Sequence, residues 1–324
     1  MVAAMMMDRV GGAEVLHLRQ IELPPPAAHE VRVRHTAMGV NFVDIYHRTG
    51  LYPLPNLPGV LGVEGAGRVE AVGEAVVGLA VGDRVAYAGL PAGGYAEARN
   101  IAADRLVRLP AALPERLAAA AMLRGLTAHM LLNRVARVQA GQVVLIHAAA
   151  GGLGLILTQW AKHLGATTIG TVGSAEKAEL ARDYGLDHVI LHREQDFVAA
   201  TRDLTDGSGV DAAFDGIGGD ILPRTLDCVR PFGVVASVGQ AGGAIAPLAL
   251  SEIGPRRSLS LSRPSVFAHV ADPHSYAEGA AALFARLADG LSITIGAEYP
   301  LSQAADAHRD LEAGRTVGSL LLVP

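Results

Sequence analysis

Residues Gly141 to Lys162, GQVVLIHAAAGGLGLILTQWAK, leave this chain few folds to choose from. Val143 to His147 is a short apolar run rich in β-branched residues, the pattern of a strand buried in a parallel sheet. Ala148, Ala149, Ala150, Gly151, Gly152, Leu153 and Gly154 follow, and Leu155 to Leu164 has few helix breakers. Strand, small-residue turn and helix is the layout that holds a pyrophosphate. The backbone can approach the phosphates closely, and the helix N-terminus offers unpaired N–H groups and a positive dipole end. Against G-x-G-x-x-G, the first place falls on Ala149 and the others on Gly151 and Gly154. Alanine can still make a tight turn, and the flanking strand and helix supply the context that a bare motif lacks. The reading is a dinucleotide site, against a plain βα turn.

The end of the next strand, Ala166 to Val172, tests which dinucleotide. An NAD site places an Asp or Glu there for the ribose 2′-hydroxyl. This chain has Gly173, Ser174, Ala175, Glu176 and Lys177. A small uncharged strand end, a hydroxyl at Ser174 and a cation at Lys177 suit a 2′-phosphate. The third strand, His188 to Leu191, ends in His192 and Arg193, which can close over the same phosphate. Solvated surface charge is the competing reading for Lys177 and Arg193. The missing acid and the nearby cations together favour NADPH over NADH.

The chain has 324 residues, enough for two domains. Half are hydrophobic and 18% are charged, so a large core is available and disorder is not expected. A net charge of −5 without a basic run argues against nucleic acid as the main partner. No apolar stretch is long enough to span a membrane, and MVAAMMMDRV lacks the layout of a signal peptide, so a cytoplasmic protein is expected. The one cysteine, Cys228, lies in a stretch read as helix and is expected to be buried filler. The twelve histidines form no ligand pattern, and no metal site is expected.

Residues up to about 120 read as short strands broken by glycine: Glu30–His35, 62–72 and 82–88. That pattern suggests a compact barrel-like β domain. Asn41 to His47 reads as a short helix, and the loop RTGLYPLPNLP after it holds three prolines and Tyr52. From Leu113 the pattern turns helical. Strands at 143–147, 166–172, 188–191, 210–215 and 233–238 then alternate with helices at 152–164, 175–184, 194–204 and 220–230. This is a doubly wound parallel α/β sheet, with Ser258–Ser262 completing it. A helix over 274–290 follows, then a tail with a strand, a helix at 304–312 and an apolar strand at 319–323. The tail is expected to return to the first domain.

These residues together resemble the zinc-free quinone oxidoreductases of the medium-chain dehydrogenase/reductase superfamily, the group that includes zeta-crystallin. Gly141, Gln142, Leu145, Ala149 to Gly152, Gly154, Gln159 and Lys162 fall on that family's signature. The likeness extends through GVNFVDIYHRTGLYP, LGVEGAGRVEAVG, RGLTA and SRPS, over essentially the whole chain. It implies a GroES-like β-barrel substrate domain over 1–121, a Rossmann NADPH-binding domain over 122–262 and a return to the substrate domain over 263–324. Zinc-dependent relatives carry a Cys ligand where this chain has Asn41 and a His where it has Val63, so zinc-activated alcohol oxidation is not expected.

By resemblance, Asn41 lies near the nicotinamide, while Tyr46 and Tyr52 line the substrate side, where a phenol can hydrogen-bond or protonate a quinone oxygen. Each tyrosine can equally be a cleft residue with a satisfied hydroxyl, and Asn41 and Asp44 can be helix caps. The cofactor set expected is Arg124, Thr127, Ala150, Gly151, Gly152, Leu153, Gly173, Ser174, Lys177, His192 and Arg263. Arg124 stands where many relatives have Lys, and His192 where close relatives have Tyr. The expected activity is NADPH-dependent reduction of quinones by hydride transfer without metal, by a homodimer paired near Ser258–Ser262. Reduction of enones or acyl thioesters, and a non-catalytic NADPH-binding role, are the alternatives.

Overall fold

The structure, a computed structural model, describes residues 1–324. It divides into two compact units. One comprises Met1–Arg124, Val270–Phe284 and Ile293–Pro324, the other Gly125–His269 and Ala285–Ser292.

The second unit is built on a six-stranded parallel sheet in the spatial order His188–Leu191, Thr167–Val172, Val143–Ile146, Val210–Asp215, Val229–Ser237, Ser260–Ser262. In chain order this is 3-2-1-4-5-6. The crossovers wind outward in both directions from Val143–Ile146, which puts a topological switch point between that strand and Val210–Asp215. Its central strand, Val143–Ile146, is largely buried, which is why it reads as an unbroken apolar run. Leu145, Ile169, Ile190, Ala213 and Val235 form one core with Phe197, Leu222 and Leu226 from the helices.

The first unit holds a seven-stranded, mostly antiparallel sheet. Glu30–Val40 is its hub and pairs with Glu64–Val72, Ala98–Ala102 and Ser319–Val323. Ile295–Pro300 lies parallel to Ser319–Val323. A second sheet pairs Val2–Met7 with Leu16–Ile21 and Gly59–Val60. The sequence reading passed over that amino-terminal hairpin. Val2 to Met7 is apolar almost throughout, so it lacks the period-2 alternation that reveals a half-exposed strand.

Several boundaries move. The units divide at Arg124/Gly125, inside the helix Glu115–His129, rather than at 121/122. Leu123 donates its N–H to Glu64, and Arg124 its guanidinium to the Val40 carbonyl, which ties both to the first unit. Residues 263–269 and 285–292 do not return with the tail. Arg263 bonds Ser237, and Ser292 and Gln159 exchange two hydrogen bonds of 2.9 Å. The helix expected over 220–230 is only Ile221–Thr225, closed by a 3₁₀ turn Leu226–Cys228, and the next strand begins at Val229 instead of 233. Cys228 is buried in that turn. The helix expected from 194 starts at Phe197, because Asp196 caps it with two bonds from the Val198 and Ala199 N–H groups.

Candidate functional site

The candidate residues fall into two groups, one in each unit. In the first unit Asn41 is the N-cap of the helix Phe42–Thr49, and Asp44 at the third helical position accepts its backbone N–H at 2.8 Å. The cap is also part of a buried polar cluster. Asn41 Nδ2 donates to Glu64 Oε2 at 2.8 Å, and the Leu123 N–H donates to Glu64 Oε1 at 2.7 Å. Gly39 makes room for this, since a Cβ there would sit 2.1 Å from Glu64 Oε2. Burial raises the Glu64 pKa, and Arg124, 3.8 Å away, opposes the shift.

Arg124 was expected to hold the cofactor. Its guanidinium is instead buried within the first unit, with Nη2 donating to the Val40 carbonyl at 2.6 Å. A cation deprived of water settles beside the buried Glu64 carboxylate, which accounts for its turn inward. Sequence inspection left out Glu64 and Asp44. An acid flanked by Val, Gly and Ala at the start of an apolar strand was the available signal for Glu64.

Tyr46 lies on the same short helix, largely buried, with its ring edge-on to Tyr52 at 5.2 Å. Tyr52 is half exposed. Its N–H bonds the Tyr46 carbonyl, and its own carbonyl accepts from His47 Nδ1 at 2.7 Å. These bonds pin the proline-rich loop to the helix, so the two phenols are brought together by geometry and not merely by sequence proximity.

Asp44 begins a hydrogen-bond chain that runs through the interior. Tyr95 Oη donates to Asp44 Oδ2 at 3.0 Å and lies 3.0 Å from His308 Nε2, and Arg48 donates to His308 Nδ1 at 3.3 Å and to Glu312. Arginine can only donate, so His308 is neutral with its proton on Nε2. Burial pushes the Asp44 pKa up to about 7 and the His308 pKa down to about 3.

In the second unit the fingerprint turn is formed as the sequence suggested, with one displacement. The left-handed residue is Ala148, at φ 51°, one place ahead of the expected first glycine. Ala149 donates to the Thr171 carbonyl, and Gly151 becomes the N-cap of the helix Gly152–His163. Ala150 precedes that cap. The N–H groups of Gly152, Leu153 and Gly154 occupy the first helical turn, where no intrahelical acceptor exists. Gly154 is a packing residue: a Cβ there would lie 2.4 Å from the Ala148 oxygen. Ala149 is tolerated because Gly170 lies beneath it, where a Cβ would come within 2.6 Å of the Ala149 methyl.

Gly173, Ser174, Lys177 and His192 gather at the end of Thr167–Val172. Ser174 caps the helix Ala175–Asp183 by accepting the Lys177 N–H at 3.3 Å, so its hydroxyl acts as an acceptor there. A Cβ at Gly173 would lie 3.4 Å from His192 Nε2 and 3.5 Å from Arg193 Nε. Thr127 lies apart from these, on the helix Glu115–His129.

Arg263 is at the other end of the sheet. It donates to Ser237 Oγ at 2.8 Å and Gln240 Oε1 at 3.2 Å, and it lines a cavity of about 330 Å³ with Leu222, Ile245 and Leu261. Beside it Asp215, buried at a strand end, accepts the Ile217 and Gly218 N–H groups and shapes the glycine-rich loop that follows. The run DGIGG was its sequence signal.

Residues 27–111 match the model of the alcohol dehydrogenase GroES-like domain, and residues 152–286 that of the zinc-binding dehydrogenases. The quinone oxidoreductase of Pseudomonas aeruginosa is 43% identical over 97% of this chain and 97% of its own. The chain belongs to the quinone oxidoreductase family. A 2-haloacrylate reductase of a Burkholderia species is 40% identical over 100% of this chain and 99% of its own. The crystal structure of Escherichia coli quinone oxidoreductase complexed with NADPH superposes with a TM-score of 0.97 at 40% identity, covering 99% and 100% of the two chains.

The zinc named by one matching model does not fit the residues present. Asn41 and Val63 stand at the expected ligand positions, the Asn41 amide is bonded to Glu64, and no group of three His, Cys, Asp or Glu side chains is arranged to hold a metal.

Proposed function

We propose that this chain reduces quinones to hydroquinones with NADPH, by hydride transfer without a metal. The observation that carries the reading is its full-length likeness to quinone oxidoreductases. The NADPH part rests on the end of Thr167–Val172, where no carboxylate stands and Lys177, His192 and Arg193 do.

NADPH, when bound, supplies the hydride. The first-turn N–H groups at Gly152 and Leu153, behind Ala150 and Gly151, hold the pyrophosphate. Gly173, Ser174, Lys177 and His192 hold the adenosine 2′-phosphate. Thr127 and Arg263 complete the cofactor set within the second unit, and Asn41 belongs with the tyrosine pair of the first. The quinone takes up one hydride and one proton, and the protein aligns it and offers hydrogen bonds to the oxygen that gains charge. Tyr46 and Tyr52 are the donors in this reading. The mutual packing of their rings limits the orientations of both phenols.

The likeness to a 2-haloacrylate reductase supports a second substrate class, activated alkenes, reached with the same hydride. NADPH and NADH oxidation with 1,4-benzoquinone, 9,10-phenanthrenequinone and a simple enone separates these readings. NADPH-selective turnover of quinones is expected. Turnover of the enone alone would move the chain to the alkene reductases, and binding without turnover would make it a carrier.

No helix is long and apolar enough to cross a membrane, and we place the protein in the cytoplasm. A homodimer is part of the proposal. Ser260–Ser262 is an edge strand with one neighbour, and Phe232 and Leu250 are 81% and 82% exposed in the same unit. An open strand edge beside large apolar side chains favours pairing with a second copy.

A further inference from the structure

The histidine at the end of the third strand of the parallel sheet sits among positive charges. His192 follows His188–Leu191, and its N–H bonds the Val172 carbonyl at 3.2 Å, which fixes it beside the neighbouring strand end. The ring turns toward Gly173, whose missing side chain leaves space: a Cβ there would be 3.4 Å from His192 Nε2 and 3.7 Å from Arg193 Cζ. Arg193 acts on the ring from the same loop and Lys177 from the helix Ala175–Asp183. His147, at the end of the central strand, interacts with the ring electrostatically, and burial keeps it neutral, with its pKa near 3. Burial, Arg193 and Lys177 all hold the free-state pKa of His192 below the usual imidazole value.

A dianionic phosphate at this strand end would reverse the sign of the field on the ring. It would lie among two fixed cations and an imidazole whose protonated form donates from both nitrogens. We propose that His192 is a specificity residue that takes up a proton when it engages the 2′-phosphate, so that NADPH binding, unlike NADH binding, is proton-coupled. The inference rests on the NADPH reading given above. Because the free ring is neutral near physiological pH, it adds no standing charge repulsion to the cofactor-free protein. Its cation appears only when the phosphate arrives. The sign follows from linkage. Proton uptake on binding makes NADPH affinity rise as pH falls, by at most about tenfold per pH unit for one proton. The phosphate itself has a second pKa near ~6 and would release protons on meeting cations, so net uptake identifies the ring.

Calorimetric titration of the purified protein with NADPH and with NADH, in two buffers of different ionisation enthalpy, tests this. The range runs from about pH 6.5 to about pH 8.5, where the free phosphate is mostly dianionic. NADPH is expected to bind with net proton uptake and to lose affinity several-fold more than NADH as pH rises. His192→Gln should abolish the uptake. His192→Lys, a fixed cation, should bind NADPH tightly with little pH dependence. Equal proton uptake in wild type and His192→Gln overturns the inference while leaving NADPH selectivity intact. Equal affinity for NADPH and NADH overturns the selectivity reading and this inference with it.

Discussion

Asp44 and His308 sit at the two ends of the Tyr95 hydroxyl and titrate in opposite senses. Burial raises the folded-state pKa of Asp44 from 3.8 to about 7. Between those values the folded chain keeps a proton that the unfolded chain releases, so this group's stabilisation is present below about pH 4 and is lost as pH rises toward about 7. Asp44→Asn should remove that slope, and its stability relative to wild type should improve by on the order of a few kcal/mol across the window, read by urea denaturation at stepped pH. His308 behaves inversely. Its pKa falls from 6.5 to about 3, so its stabilisation is complete above about pH 6.5 and is lost on acidification. His308→Gln, measured against wild type in the same titration, should flatten the acid limb and leave the neutral limb offset by a constant.

The tyrosine pair also belongs to this scale. Tyr46→Phe and Tyr52→Phe each keep the ring contact and delete only the hydroxyl. Loss of a hydrogen bond to developing negative charge should lower quinone kcat/KM by about 10-fold or more for the tyrosine that donates, with NADPH Kd unchanged. Steady-state kinetics beside NADPH titration would show which one it is.

At the scale of the element, the strand–turn–helix depends on three close approaches that only small residues permit. Gly154→Ala forces a Cβ to within 2.4 Å of the Ala148 oxygen, which is backbone and cannot rotate away. It should cost about 1–3 kcal/mol and, if the turn holds the pyrophosphate as proposed, weaken NADPH binding, because the turn must move. Gly151→Ala meets only that same oxygen at 3.2 Å and should be the milder change. Gly170 and Ala149 are a coupled pair. Gly170→Ala should destabilise alone, and Ala149→Gly should recover part of the loss, a coupling that a double-mutant cycle measures. Ser174→Ala removes a helix cap and should cost about 1 kcal/mol, a loss that thermal melting can detect.

Legibility differed between elements for physical reasons. The strands 188–191 and 210–215 and the helix 304–312 were readable to the residue, because apolar runs and breakers coincide with their ends. The helix after Asp220 was overestimated, since the sequence LPRTLDC carries no breaker where the structure tightens to a 3₁₀ turn. Tertiary pairing of Val229 with Val210 starts the next strand early and ends the helix.

For the whole molecule, the chain folds as two compact units, and each carries its own group of candidate residues. Ligand binding gives a global test. NADPH at about 100 times its Kd should stabilise the folded protein by about 2.7 kcal/mol, and NADH at the same concentration by less. Lys177→Ala should narrow that gap in a thermal melt, because in this reading it removes a charge that favours the 2′-phosphate, which NADH lacks. The dimer is tested by light scattering: the 33.5 kDa chain should run at twice its mass, and Phe232→Asp with Leu250→Asp should return it to a monomer.

The amino-acid sequence by itself determined the doubly wound sheet, the small-residue turn after its central strand and the absence of an acid at the second strand end. Each is written in local periodicity, small residues and the charge of a few adjacent positions. The tertiary structure alone decided the inward turn of Arg124 toward Val40 and Glu64 and the hydrogen-bond chain from Asp44 through Tyr95 and His308 to Arg48 and Glu312. Burial and long-range charge pairing control those outcomes, and both depend on residues far apart in the chain. A buried charge must find its partner wherever the fold brings one.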